Sequence, residues 1–205
     1  MMPMLKIIAT EKFEKLLSES VSWHLGVCPR QVLGVRMGMF AGTLLDLELP
    51  QIDKRLLTIV ETDGCFASGI SAATGCWVGR RTLRVNDFGK VAATFVDTIT
   101  GECIRLAPQS EIRSLAKVYA PDEESRWQTQ LVGYQLIPDE LLFSQQQVDL
   151  CTPISDIISK AGLRTNCQIC GEEIMNQREV LQNGKVLCKA CAGFSYYSVQ
   201  GHSLK

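Results

Sequence analysis

The chain lacks an excess of charge of either sign: 21 Lys and Arg are set against 22 Asp and Glu, a formal net charge of -1 over 205 residues. A domain-wide basic footprint for nucleic acid is therefore missing, and no polybasic block offers itself to an anionic membrane surface. Long apolar runs are also missing, with none approaching the roughly 18 residues of a membrane span. The opening "MMPMLKIIATEKFEKLL" has neither the apolar centre nor the small-residue cleavage site of a secretory signal, so a cytoplasmic location without a membrane partner is expected. There is no low-complexity tract, and 46% of residues are hydrophobic. The chain reads as globular, long enough for one ordinary domain and a small module.

What is present in quantity is cysteine, nine in all. In a reducing compartment such a number, and an odd one, favours thiol or metal chemistry over a disulfide scaffold. Near the C-terminus, "NCQICGEEIMNQREVLQNGKVLCKACAG" sets Cys167-x2-Cys170 and Cys188-x2-Cys191 seventeen residues apart. Each C-x2-C places two thiolates on one tight turn, and a hairpin between the pairs brings all four onto a shared tetrahedral Zn²⁺. The Asn183-Gly184 pair is the favoured two-residue hairpin turn, flanked by "REVL" and "VLC" as short strands. Knuckle, hairpin and a second pair opening a helix resemble a treble-clef or ribbon-type zinc finger. Four protein ligands leave no open position, so this zinc is expected to be structural. Between Arg164 and Cys191 four Lys or Arg face three Glu, a weak basis for gripping phosphates; a protein or intrachain contact is favoured over DNA.

Upstream, "ATEKFEKLLSESVSWH" carries Phe13, Leu16, Leu17 and Val21 at helical spacing with Thr10 as N-cap, and His24 continues the stripe inward. A second helix begins at Pro29, with Val32, Val35, Met39 and Phe40 on its apolar face. Gly34, Gly38 and Gly42 recur on it at intervals of four, which predicts close approach of another backbone unless Gly42 marks the helix end. "LLTIVET" reads as a buried strand, and residues 63–79 as a turn, a short helix and a stop at Gly75. "RTLRVND", "KVAATFVDT" and "CIRLAP" read as strands separated by turns, giving a largely antiparallel sheet. Two helical pieces divided at Pro121 follow, and "IPDELLFSQQQVDL" reads as a turn into a last strand. The expected fold is α+β, with N-terminal helices packed on a largely antiparallel sheet and a small C-terminal four-cysteine finger. The expected boundaries are 1–152 for the core domain, 153–165 for a partly helical connector and 166–205 for the finger.

Five cysteines remain. Cys28 directly precedes a helix N-terminus, where free amide groups and the helix dipole favour a thiolate. Cys65 and Cys76 lie at either side of the short helix, at element ends where functional side chains collect. The alternative is that these three are simply buried, as free cysteine often is. Cys103 and Cys151, in or beside strands, read as small buried hydrophobes.

The order "WHLGVCP", a glycine-spaced helix, "IVETDGC", "ATGCWVG", "LRVNDFGKVAATF" and "IPDELLF", followed by a four-cysteine finger, resembles the FmdE family of formylmethanofuran dehydrogenase proteins over roughly residues 15–150. The resemblance implies an α+β core, commonly a homodimer, with a His/Cys-lined cleft that can hold a metal. Against the family pattern F-H-G-H-x-C-P-G, Trp23 replaces the Phe, His24 matches, Leu25 replaces the Gly and Gly26 takes the place of the second His. Cys28 and Pro29 match, and Arg30 replaces the last Gly. Cys65 and the Gly75-Cys76 pair match later motifs, while the acidic residue often found three positions after Cys65 is here Ser68. A second transition metal in the cleft would then rest on His24 with thiolates from Cys28, Cys65 or Cys76. The molybdenum- or tungsten-dependent chemistry of the parent complex belongs to its other components.

Two functions follow as expectations. One is a zinc-binding FmdE-like protein, accessory to a larger enzyme system, whose cleft binds a transition metal or handles a one-carbon or redox substrate. The other is a dimeric interaction or regulatory protein whose finger docks a protein partner.

Overall fold

The computed structural model describes residues 10–158 and 162–200. The first nine residues and part of the connector read as helical, residues 159–161, lie outside the described residues. The chain divides into two compact units, 1–149 and 150–205, and each is described by itself.

In the first unit, α1 (Glu11–Ser22) starts where the Thr10 hydroxyl accepts the Phe13 N–H at 3.2 Å, satisfying one of the free amides of the first turn. Phe13 and Leu16 are buried; Glu11 and Glu14 sit in the first turn, where negative charge suits the helix dipole. Helix α2 (Pro29–Leu44) opens with Pro29 in its first turn and Cys28 as N-cap. Its sequence predicts one apolar face, but Gln31, Val32, Leu33, Val35, Arg36 and Met37 are all buried, so protein covers it on every side.

Strand β1 (Leu56–Val60) leads through Gly64 into α3 (Cys65–Thr74), which stops at Gly75 in the left-handed conformation, φ 73°. A side chain at Gly75 would also run into the Gln51 carbonyl oxygen. Strands β2 (Leu83–Val85), β3 (Ala93–Asp97) and β4 (Cys103–Pro108) follow, then α4 (Ile112–Tyr119), α5 (Arg126–Leu136), the one-turn α6 (Asp139–Leu142) and β5 (Phe143–Gln147). The stretch read as a plain turn before β5 thus contains a helical turn, with Asp139 and Glu140 suiting its N-terminal end.

The five strands form one sheet in the order β2-β1-β3-β4-β5; only the β1–β2 pair is parallel. The register sets Thr58 opposite Phe95, Phe95 opposite Ile104, and Ile104 opposite Gln147. Strands β1 and β3 are buried along their whole length, so both faces of the sheet centre are covered. One core joins Phe13 and Leu16 of α1, Val32 and Met37 of α2, Phe66 and Ile70 of α3, and Phe95, Ile104 and Leu106 of the sheet. The protein is therefore a mixed assembly of helices on a largely antiparallel sheet. No described helix is long and apolar enough to cross a membrane.

The glycine row on α2 is explained by α3. A Cβ on Gly34 would collide with the Phe66 carbonyl oxygen and lie 3.0 Å from the Gly69 Cα, and one on Gly38 would lie 2.6 Å from the Ala73 Cβ. From the other side, a Cβ on Gly69 would lie 2.5 Å from the Gln31 carbonyl oxygen. Residue numbers rise together along the contact, so the helices run parallel, with both N-termini at one end. Gly42, in the last turn of α2, packs instead against Leu47 and Leu49.

In the second unit, α7 (Ile154–Ile158) precedes two small antiparallel hairpins. One pairs β6 (Arg164–Asn166) with β7 (Glu173–Met175); the other pairs β8 (Val180–Gln182) with β9 (Lys185–Leu187). Asn183 and Gly184 both take positive φ, 53° and 73°, as the hairpin turn requires. A short helical turn, Ala190–Phe194, follows.

Two stability tests follow from the first unit. Gly34→Ala should lower unfolding free energy in urea by about 1–3 kcal/mol, because its methyl meets backbone that cannot rotate away. Asp97, held by hydrogen bonds from the Arg55 guanidinium, titrates at about 2 rather than 3.8. Folding here lowers a carboxyl pKa, so the stabilisation is full above pH ~4 and is lost as pH falls towards 2. Arg55 is 34% exposed, and solvent screening limits the effect to about 1–2 kcal/mol. Asp97→Asn should remove that part of the acid dependence in pH-resolved denaturation.

Candidate thiol and metal sites

The first site lies where the C-terminal end of α1 meets the N-termini of α2 and α3. Gln31 holds the first two together: its Oε1 accepts the Cys28 N–H at 2.7 Å, and its Nε2 donates to the Ser20 carbonyl at 3.2 Å. Gln31 is fully buried, so both bonds are shielded from water. They fix Cys28 at the start of α2 and bring the chain after Ser20 beside it. His24 follows one residue after the end cap of α1, its N–H donating to the Val21 carbonyl at 2.9 Å.

The His24 imidazole reaches α3. Its Nε2 lies 2.9 Å from the Ser68 Oγ, and its Nδ1 3.9 Å from the Cys65 Sγ. The Ser68 hydroxyl points at the Gly64 carbonyl, 3.4 Å away. If Ser68 donates there, its oxygen accepts the Nε2–H, which leaves Nδ1 as the acceptor facing the Cys65 thiol. The Cys28 thiol is a further close neighbour of Cys65. Burial first, and then Cys28, pushes the Cys65 thiol up, so it holds its proton at neutral pH. Cys28 and Cys65 are both half-buried. Trp23, next to His24, packs edge to face on Trp77 from beyond the other end of α3, with centroids 4.4 Å apart and the rings 39% and 36% exposed.

Cys76 is elsewhere. It lies beyond the opposite end of α3 from Cys65, a rise of about 15 Å along ten helical residues. It is 2% exposed, with its thiol 3.4 Å from the Leu56 carbonyl and 3.4 Å from the Thr58 hydroxyl. Burial pushes this thiol up as well. The structure thus brings together His24, Cys28 and Cys65 and leaves Cys76 in the core. Cys103 is buried as expected, but Cys151 is exposed, because β5 ends at Gln147 and no sheet covers it. Ser68 and Gln31 were the partners hardest to foresee. Ser68 is one turn after Cys65 on the same helix face, and Gln31 holds the third helical position, from which a side chain reaches back to the N-cap.

The second site is the finger. The ligand atoms of Cys167, Cys170, Cys188 and Cys191 all lie within 4.8 Å of one another, and the Cys170 and Cys188 sulfurs are 3.9 Å apart. Zinc–sulfur bonds of about 2.3 Å in a tetrahedron give sulfur–sulfur edges of roughly 3.8 Å, so the four thiols fit the ion. Each knuckle is built by backbone. The Gly171 N–H donates to the Cys167 carbonyl at 2.9 Å, and the Cys191 N–H points at the Cys188 sulfur at 3.4 Å. Gln168 ties the first knuckle to β9 by two bonds to Val186, each 2.9 Å. Backbone N–H groups, that of Cys170 first, lower the Cys167 thiol to about 6, while neighbouring thiols, Cys188 first, push Cys191 up to about 12. An ion binding here displaces the remaining protons. The buried core of this module, Cys167, Ile174 and Leu187, is too small to hold it folded alone. Among the described residues, His24, Cys28 and Cys65 do not come within the same mutual distance.

Fold and sites define a class: an α+β domain carrying a C4-type zinc-finger module. The chain belongs to the family described as "FmdE, Molybdenum formylmethanofuran dehydrogenase operon", which matches residues 23–144, more than half its length. Residues 162–197 match the prokaryotic dksA/traR C4-type zinc finger. A similar solved structure is a tungsten formylmethanofuran dehydrogenase FmdE-like protein from Syntrophus aciditrophicus, with a TM-score of 0.56 and 21% identity. It covers 96% of this chain and 100% of that one, a likeness of fold. A curated relative from Archaeoglobus fulgidus, 30% identical over 219 residues, is described as a probable S-adenosyl-L-methionine-binding protein. The alignment takes in 94% of this chain but only 56% of the relative's length.

If the four thiols hold a structural ion, Cys188→Ser should release zinc and unfold the chain after about residue 165 while the first unit keeps its thermal transition. Metal analysis and limited proteolysis of the variant check this.

Proposed function

We propose that the chain is an accessory protein of a larger enzyme system, cytoplasmic and homodimeric, whose core presents His24, Cys28 and Cys65 to a soft transition metal or to a one-carbon or redox substrate. The observation that carries this reading is the meeting of an imidazole and two thiols from three separate segments. Thiolates and one imidazole suit a thiophilic ion, and three donors leave a coordination position open to substrate. A metal there requires the thiols to rotate closer to one another. The zinc of the finger is structural in this reading.

A second reading is favoured by the finger surface. Ile169, Leu181, Phe194 and Tyr196 are 60%, 77%, 72% and 96% exposed, more apolar area than a small module gains by leaving in water. On this reading the finger, of treble-clef type by its knuckle and hairpin, docks a protein partner and the core is a dimeric scaffold. The name of the Archaeoglobus relative adds a ligand to the first reading, since a methyl sulfonium carries the positive charge that tryptophan faces attract.

Metal content separates the readings. The first expects more than one metal per chain, falling towards one in His24→Ala or Cys65→Ser with the finger intact. One metal per chain, unchanged by either substitution, removes the cleft ion.

A further inference from the structure

We propose that Cys28 and Cys65 form a dithiol that exchanges with low-molecular-weight disulfides, with His24 accepting the Cys65 proton and Ser68 holding the imidazole in the tautomer that can do so. This deepens the reading of the cleft as a thiol site and requires no cleft metal. Three observations converge on it. The contact of Gly34 with Phe66 and Gly69 makes α2 and α3 parallel, so the cap of one and the first residue of the other, both cysteines, share one end. Gln31 pins the backbone of Cys28 at the cap of α2, which holds its thiol at the shared end. Cys65, His24, Ser68 and the Gly64 carbonyl form a continuous chain at 3.9, 2.9 and 3.4 Å, the arrangement of a nucleophile, its base and the group that orients the base. Nucleophile–base distances of this kind are often loose until substrate is bound.

In the first step the Cys65 proton passes to His24 Nδ1 as the sulfur attacks one sulfur of a disulfide RSSR. The S–S bond of the reagent breaks, a mixed disulfide forms on Cys65, and the leaving thiolate takes the proton back as RSH. In the second step the Cys28 sulfur attacks the Cys65 sulfur, its proton goes to the second leaving RS⁻, and a Cys28–Cys65 disulfide results. Two electrons pass from the pair to RSSR, which leaves as two RSH. Ser68 is a positioning residue here: as a neutral acceptor it orients the ring without adding a negative charge.

The test uses the full chain loaded with zinc, oxidised glutathione as the disulfide, acid quenching, alkylation and peptide mapping by mass spectrometry. Exposed Cys151 reports reagent access. The expected result is a Cys28–Cys65 cross-link with two glutathiones released per link. In Cys28→Ser, whose serine is itself a good helix cap, one glutathione should remain on Cys65. In that background Ser68→Ala should slow glutathionylation of Cys65 by at least about tenfold, and Ser68→Thr should restore it. A stable mixed disulfide on Cys65 of the unsubstituted chain, or modification of Cys151 with none at Cys65, overturns the proposal. An unchanged rate in Ser68→Ala overturns the role of Ser68. Counting metal on the same samples keeps the two readings apart. A cross-link with one metal per chain supports the dithiol without the cleft ion, and a second metal lost in Cys65→Ser with no cross-link does the reverse.

Discussion

Backbone contact between α2 and α3 through Gly34, Gly38 and Gly69 is the constraint on which the core and its site both depend. Helices separated by ordinary side chains sit 8–10 Å apart; here a methyl group is already too much. That closeness fixes the axial register of one helix on the other, because each glycine must face a particular stretch of backbone. The register in turn decides that Cys28 and Cys65 share an end. Gln31 extends the same constraint to α1, since one buried amide side chain bonds both the start of α2 and the last turn of α1.

The chemistry of the cleft follows from what surrounds it. The His24 ring is held by a hydroxyl rather than a carboxylate, and the Cys65 thiol is pushed up by burial and by a second thiol. The finger works in the opposite sense. Its backbone amides already favour a thiolate at Cys167, and four sulfurs within bonding reach of one ion need no further rearrangement.

Much of this was legible in the residues. The cap at Thr10, the start of α2 at Pro29, the stop at Gly75, the Asn183-Gly184 turn and the four finger thiols each rest on local rules that act over a few residues. The glycine row announced a close neighbour without saying which, because the partner, α3, is some thirty residues away in sequence. Cys76 shows the limit in the other direction. A motif placed it with Cys65, but both bound the same helix, and a straight helix holds its ends apart. Arg36 gave no signal of being interior; its partners are near the far end of the first unit.

Arg36 is 2% exposed, and its guanidinium is satisfied by the carbonyls of Tyr134 and Ile137 and the carboxylate of Asp139, 98 to 103 residues further along the chain. Leaving such a cation buried and unpaired is costly. As the protein emerges from the ribosome, α2 can form early, yet its most demanding side chain must wait until about a hundred more residues have been made. At 5–20 residues per second this is a delay of roughly 5–20 seconds. Through that interval the guanidinium is satisfied by water, and burying α2 before the α5–α6 segment arrives would cost the desolvation of an unpaired cation.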